Sequence, residues 1–372
     1  MDHPQSAVFF FEEDACIPAH SKPLMLEAVL FCPILSWTSR QLLADGVQRF
    51  FVVSSPRFAE EARACFPESA EVIVSEQKKD LDAFLKTPDT VLVFTHAALP
   101  IPEAGPGFAY QAPGYELLDA WQTKMTNNVS GAEPVPGWLP ILRRDLIAEA
   151  EPVLRERIVK RHIRNGVHIV DTAAVYIDPR VEIGGGVTIL PGTILEGHTV
   201  IGDGCTVGPQ TRIRDCTIGQ DTEINASQLY ESTVGNQVKI GPFSHIRPNS
   251  HIKDHVKLGD FVEVKNSTLG EGTHVAHLTY VGDSDVGRDV NFGCGCVTTN
   301  YDGFQKHRCT VGDHAFLGCN TNLIAPVTVG EGAYTAAGST VTEDVPADAL
   351  AVARARQKNI AGWAERNRKL KG

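Results

Sequence analysis

Aliphatic residues recur at every sixth position from Ile183 onward. Ile183, Ile189, Leu195, Ile201, Val207 and Ile213 hold the count, and several are followed directly by Gly. The count slips by one to Ile218, resumes at Ile224, and returns at Val234, Ile240, Ile246, Ile252, Leu258 and Val264. Shorter runs follow at Leu269, Val275 and Val281, then at Val286 and Phe292. After one interruption it resumes at Val311, Leu317, Leu323, Val329, Thr335 and Val341. A six-residue period held over about 160 residues predicts a parallel β-helix. Three hexads make one triangular coil, each side a short strand. The aliphatic residue points inward and stacks on its equivalents above and below. The small residue after it lets the chain turn the corner. Such a prism is mostly scaffold, so chemistry is expected where the count breaks.

Residues 1–165 follow a different pattern. Val8–Phe11, Phe50–Ser54, Val72–Ser75 and Val91–Thr95 read as strands. Helix-like stretches lie between them, at Ser36–Asp45, Arg57–Cys65 and Asp80–Lys86. That alternation predicts a parallel α/β sheet. Residues 102–114, rich in Gly and Pro, predict a loop, and Tyr115–Met125 a helical segment. Arg143–Arg164 predicts a connecting helix. The organisation expected is therefore an α/β domain at 1–165, a β-helix at 166–356, and a basic tail at 357–372. The tail reads as a solvated terminal helix or frayed end.

Composition narrows the function. The 372 residues carry a net charge of −11, which argues against nucleic acid as a partner. No apolar run is long enough to span a bilayer, and no basic n-region precedes a signal-peptide core. Nine cysteines without a secretory signal imply reduced thiols and a cytoplasmic protein. Cys294, Cys296, Cys309 and Cys319, with His307 nearby, match no common zinc spacing. No metal site is expected.

The sharpest break in the count is Thr298–Thr310, TTNYDGFQKHRCT, a polar excursion that cannot stay on a prism face. Within it, Asn300, Tyr301 and Lys306 offer an amide, an aromatic ring and a cation. Extruded loops of this kind can reach a neighbouring copy, and flat prism faces favour association around a threefold axis. His277 falls just before the excursion, at a corner, where side chains point outward. Arg247, Lys265, Tyr280 and Asn291 fall on neighbouring turns. Arg247 and Lys265 are 18 residues apart, one full coil, so the two cations should stack on one edge. Stacked cations call for an anion nearby, either Glu263 or a substrate phosphate.

The stretches HLTYVGDSDVG, NYDGFQKHRCTVGD, APVTVGEGAYTAAGSTVTEDVP and ALAVARARQ closely resemble the bacterial bifunctional enzymes of UDP-N-acetylglucosamine synthesis. That family joins a uridylyltransferase half to a glucosamine-1-phosphate acetyltransferase half. The resemblance is dense from about Ile240 to Trp363 and continues more loosely back to about residue 165. It implies a left-handed β-helix, a homotrimer, and acetyl-CoA as cosubstrate. It also implies His277 as catalytic base, and Arg247, Lys265, Tyr280 and Asn291 as ligands of the sugar phosphate, with Lys306 near the acetyl site. Cys294, Asn300, Tyr301, Cys319, Ala337 and Arg354 match its acetyl-CoA contacts. Cys294 stands where the family usually has Ala, and Cys319 where it usually has Ser. A thiol is the weaker hydrogen-bond donor.

The first half departs from that pattern. The family's Gly-rich phosphate loop is replaced by VFFFEEDACIPAHSKPL, which lacks glycine and carries Glu12, Glu13 and Asp14. Backbone amides cannot approach a triphosphate without those glycines. The family's metal-binding Gly-Asp is replaced by Thr95-His96-Ala97. This half, also shorter than the family's, is expected to be a Rossmann-like, nucleotidyltransferase-like relic without uridylyltransferase activity. The leading expectation is acetylation of glucosamine-1-phosphate. Acetylation of another phosphorylated or nucleotide-linked amino sugar, a non-catalytic regulatory paralogue, and a partner-binding first half are the alternatives.

Overall fold

The computed structural model describes residues 4–11, 22–86, 90–104, 109–113 and 133–369. The chain divides into two units, residues 1–161 with 176–179, and residues 162–175 with 180–372. Glu12, Glu13 and Asp14, residues 105–108 and 114, and the Tyr115–Met125 segment lie outside the described residues; within the expected 102–114 loop, Ala109–Pro113 is a strand instead, because it finds backbone partners along Thr90–Phe94.

In the first unit, β1 (Ser6–Phe10), β2 (Arg49–Val53), β3 (Glu71–Ser75), β4 (Thr90–Phe94), β5 (Ala109–Pro113) and β6 (Glu133–Pro134) form one sheet in the order β3-β2-β1-β4-β5-β6. The pairs β3-β2, β2-β1 and β1-β4 are parallel; β4-β5 and β5-β6 are antiparallel. The central strands are apolar at consecutive positions because both faces are covered. Phe9 stacks on Phe94 with ring centroids 4.9 Å apart on one face. Val8, Phe10, Phe51 and Val53 pack with Leu81 and Phe84 of helix α2 (Lys78–Leu85) on the other. Helix α1 (Ile34–Ala44) precedes β2 in the chain, and helix α3 (Asp145–Arg164) closes the unit.

The second unit is a left-handed parallel β-helix whose three faces are sheets of 11, 10 and 9 strands. Strands of two to four residues pair in register from coil to coil, so that Leu195, Ile213, Leu229, Ile246, Val264 and Val281 form one continuous inward ladder. Burying such a side chain fully contributes about 1.5–3 kcal/mol relative to exposure. Every aliphatic residue of the counted series is buried except Ile183, in the first coils, which is half-buried. Two details differ from the hexad count. Leu229 is an inward residue that the count skips, because Ile224–Leu229 and Leu229–Val234 are five-residue steps. Thr298, read as the start of the excursion, occupies an inward position instead. It is buried at no cost in unpaired hydroxyl, since its Oγ1 accepts the Gly282 N–H at 2.7 Å and donates to the Gly282 carbonyl at 3.0 Å. The tail residues Trp363–Lys369 form a short helix.

Candidate functional site

One edge of the prism carries His277. It lies in register with Asp260 of the coil before, and its Nδ1 is 2.6 Å from Asp260 Oδ1. With a carboxylate as acceptor, Nδ1 holds the ring proton and Nε2 presents a lone pair. Nε2 has no hydrogen-bond partner among the described residues. The hydrogen bond from His277 holds the Asp260 carboxyl below the usual carboxylate range. The His277 side chain is 57% exposed, so an incoming substrate can reach it. Gly259 makes this pairing possible. A Cβ there would lie 1.8 Å from the Ala276 carbonyl oxygen, so only glycine lets the coils approach closely enough to set Asp260 beside His277.

The same edge continues upward through corner hydrogen bonds. Gly295 N–H donates to the His277 carbonyl at 3.4 Å, Asn320 N–H to that of Cys294 at 2.8 Å, and Gly338 N–H to that of Cys319 at 2.8 Å. Ala337 stacks over Gly318, and Arg354 lies against Gly338. His277, Cys294, Cys319, Ala337 and Arg354 therefore share one edge on successive coils. Asn291 lies on the flat face that runs up to this edge, paired with His274. Cys319 is exposed and Cys294 half-buried. Cys296 and Cys309 point inward, and burial pushes each thiol up to about 11. Among the described residues no group of His, Cys, Asp and Glu is arranged to hold a metal ion.

The cations gather at the next edge. Arg247 Nη1 donates to Glu263 Oε1 at 2.8 Å. Lys265 sits one coil on, and Lys306 of the excursion comes beside it. The nearby Lys306 ammonium, with partial burial, holds Lys265 below the ordinary lysine value. Behind the pair lies Asp283, 4% exposed, which accepts hydrogen bonds from the Asn266 and Asn300 amides. Burial pushes its carboxyl up, but those two amides and both lysines prevail and hold it below its usual range. Tyr280 links the two edges: its hydroxyl leans over Gly282, where a Cβ would come within 2.3 Å, and lies 3.4 Å from Asn300 Nδ2.

The excursion from Asn300 to Arg308 is a compact hairpin. Tyr301 and Lys306 pair as an antiparallel bridge, and Asp302 Oδ1 accepts the N–H groups of Phe304 and Gln305 at 2.8 Å each. His307 Nε2 lies 2.8 Å from Asp302 Oδ2. The Gln305 amide, His307 and the Phe304 amide together bring the Asp302 carboxyl down to about 2. Arg308 clamps the hairpin's end to Asp285 through two bonds of 2.9 and 2.6 Å. The tip projects outward, with Phe304 95% exposed. Asn300 and Tyr301 therefore stand with the cations, not with Cys294, Cys319, Ala337 and Arg354.

A family profile described as bacterial transferase hexapeptide (six repeats) matches residues 180–215 and 231–266. Over 256 residues the chain is 56% identical to a "Bifunctional protein GlmU" from Geobacillus sp., covering 68% of this chain and 56% of that protein. The chain is a relative of the GlmU proteins. A second GlmU, from Caldanaerobacter subterraneus, is 51% identical over 259 residues, covering 70% of this chain and 56% of that one. The chain spans just over half the length of these curated relatives. Among solved structures, a UDP-N-acetylglucosamine acyltransferase from Campylobacter jejuni superposes on 50% of this chain and 71% of that one, with 19% identity and a TM-score of 0.31.

Two residues of this GlmU relative escaped the sequence reading. Asp260 lies 17 residues before His277, close to one coil, so the spacing argument that stacked Arg247 on Lys265 finds it as well. Asp283 lies 17 residues from Asn266 and 17 from Asn300, so the same spacing places it on this edge, but nothing in its sequence neighbourhood shows that it is buried beneath two lysines.

Proposed function

We propose that the protein transfers the acetyl group of acetyl-CoA to the amine of glucosamine-1-phosphate. The observation that supports this most is a histidine paired with a carboxylate on one prism edge, with a cluster of cations at the next. The acceptor's ammonium gives one proton to solvent to become a nucleophile, and His277 Nε2, as general base, takes a second proton from the amine nitrogen as it attacks. Asp260 takes the hydrogen bond from Nδ1–H, fixing the tautomer and facing the imidazolium that forms. The amine nitrogen bonds to the thioester carbonyl carbon, giving a tetrahedral oxyanion that corner N–H groups can receive. Collapse breaks the carbon–sulfur bond, and coenzyme A leaves as thiolate, protonated from His277. Arg247, Lys265 and Lys306, set against Glu263 and Asp283, leave one net positive charge to receive the sugar phosphate.

The proposed assembly is a homotrimer with sites shared between copies. Phe243, Phe261 and Leu278 follow one another along the corner beside Asp260 and His277, all with positive φ and more than half exposed. The two phenylalanine rings stack at 5.5 Å. A bulky residue in that backbone region costs about 1–2 kcal/mol, and an apolar ridge held there suits a neighbouring copy. The separation of Asn300 and Tyr301 from the other acetyl-CoA residues has the same explanation: one copy's hairpin completes the next copy's site.

The first unit is proposed to have lost uridylyl transfer. Lys22, near the end of the glycine-free stretch, is ion-paired with Glu61. Thr95 and His96 follow β4, at the strand ends where open parallel sheets bind ligands, and bring no carboxylate there. The test of the whole reading is thiol release from acetyl-CoA with a panel of amino sugars, phosphorylated and not. Glucosamine-1-phosphate should turn over fastest and free glucosamine poorly; turnover with none of the panel removes the proposal.

A further inference from the structure

The first unit holds a cavity that the acetyl-transfer reading does not use. It has a volume of about 310 Å³ and lies between helices α1 and α3, walled by Trp37, Arg40 and Gln41 from one and by Leu154, Arg157 and Arg161 from the other. We infer that this cavity binds a phosphate-bearing small molecule.

Three arginines line it, and their placement differs. Arg157 is fixed by the Pro100 carbonyl at 2.7 Å and by Glu103. Arg161 donates to the Pro179 carbonyl at 3.3 Å. Arg40, half-buried, has no carboxylate partner among the described residues. Partial burial and the nearby Arg40 charge push the Arg161 guanidinium below its ordinary value. Arg40 is therefore the cation in the wall that an anionic ligand can pair with. Guanidinium forks match phosphate oxygens better than a single carboxylate can satisfy. Trp37 adds a flat apolar wall, held in place by its Nε1–H bond to the Val29 carbonyl at 3.0 Å. The volume is at the small end of ligand cavities, which run from about 300 to 1,000 Å³. A diphosphate or a nucleoside monophosphate is of that class.

The test uses the full chain, inorganic pyrophosphate, UMP, and uridine as the phosphate-free control, at matched ionic strength. Binding is followed by tryptophan fluorescence and by the melting temperature. Pyrophosphate, UMP or both should shift the two readouts, and uridine neither. Arg40→Gln and Arg161→Gln should each weaken binding by about tenfold or more. Trp37→Phe should remove the fluorescence response and keep the thermal one. Because Arg40 repels Arg161, unliganded Arg40→Gln should melt no lower than the wild type. Failure of both phosphate ligands to bind at millimolar concentration overturns the inference. So does binding of unchanged affinity in both arginine variants, or a marked loss of stability in unliganded Arg40→Gln, which would make these arginines structural. None of these results depends on acetyl transfer.

Discussion

Asp260→Asn is the most informative single change. It keeps the size of the side chain and replaces the 2.6 Å acceptor of His277 Nδ1–H with a group that can present N–H instead. An amide nitrogen facing Nδ1 favours the opposite tautomer, which puts the proton on the nitrogen that must accept one. The ceiling on the loss is the contribution of the general base itself, about 10²–10⁴ in rate. The His277 and Asp260 side chains are 57% and 39% exposed, so water competes for both and the carboxylate's share is smaller. A loss of about tenfold in kcat is expected, with KM for either substrate nearly unchanged. Thiol release measures the rate, and nitrogen-15 NMR of the imidazole reports the tautomer. The wild type should show the proton on Nδ1, and the variant should move it toward Nε2. Asp260→Asn with wild-type kcat and an unmoved tautomer would falsify the positioning role.

Other expectations follow from the same geometry. His277→Ala should lower kcat about 10²–10⁴-fold with little change in melting temperature, because the side chain is outside the core; wild-type turnover excludes it as base. Arg247→Ala and Lys265→Ala should each raise KM for the sugar phosphate about tenfold or more and leave that for acetyl-CoA alone; the reverse pattern moves the phosphate site elsewhere. The Asp302 carboxyl, about 2 when folded against 3.8 as its ordinary value, stabilises the hairpin above that ordinary value and loses this as pH falls toward 2. Carboxyl NMR should show the low midpoint, and Asp302→Asn should abolish the protection of the Phe304 and Gln305 amides; a midpoint near 4 contradicts the hairpin geometry. Cys319→Ser should raise turnover severalfold if a stronger donor helps position the acetyl group; an unchanged or lower rate removes that role.

Much of the fold is legible in the sequence because a β-helix repeats one physical demand, an inward apolar residue on each side of every coil. The reading fails where that demand is met differently. Leu229 is passed over because two sides shorten to five residues, and the prism absorbs the change at its corners. Thr298 is misplaced because a threonine whose hydroxyl bonds to Gly282 serves as well as valine. In the first unit the strands are visible as β-branched and aromatic runs, and both sheet faces are covered, so no alternation is needed. The site is legible only in part. Coil spacing stacks Arg247 on Lys265 and pairs Asp260 with His277, but it cannot show that Lys306 folds back beside Lys265. That contact depends on a hairpin closed by Asp302, Tyr301 and His307, and its return angle is not periodic.

The division of the proposed acetyl-CoA residues between two edges carries a physical consequence. A residue at a corner sees only its own coil and the coils above and below, so a single prism presents each edge as a one-sided surface open to water. Acyl transfer gains most from holding amine and thioester together and from dry donors around the oxyanion. One exposed edge supplies neither. A second copy laid along the Phe243–Phe261–Leu278 ridge would cover the His277 edge, and a neighbour's hairpin, with Tyr301 57% and Phe304 95% exposed, would bring an apolar tip against it. The prism then serves as a rigid ruler that fixes where each copy's residues stand. Its buried ladder makes folding independent of the edge residues, so chemistry and assembly can be altered at the corners without loss of the core.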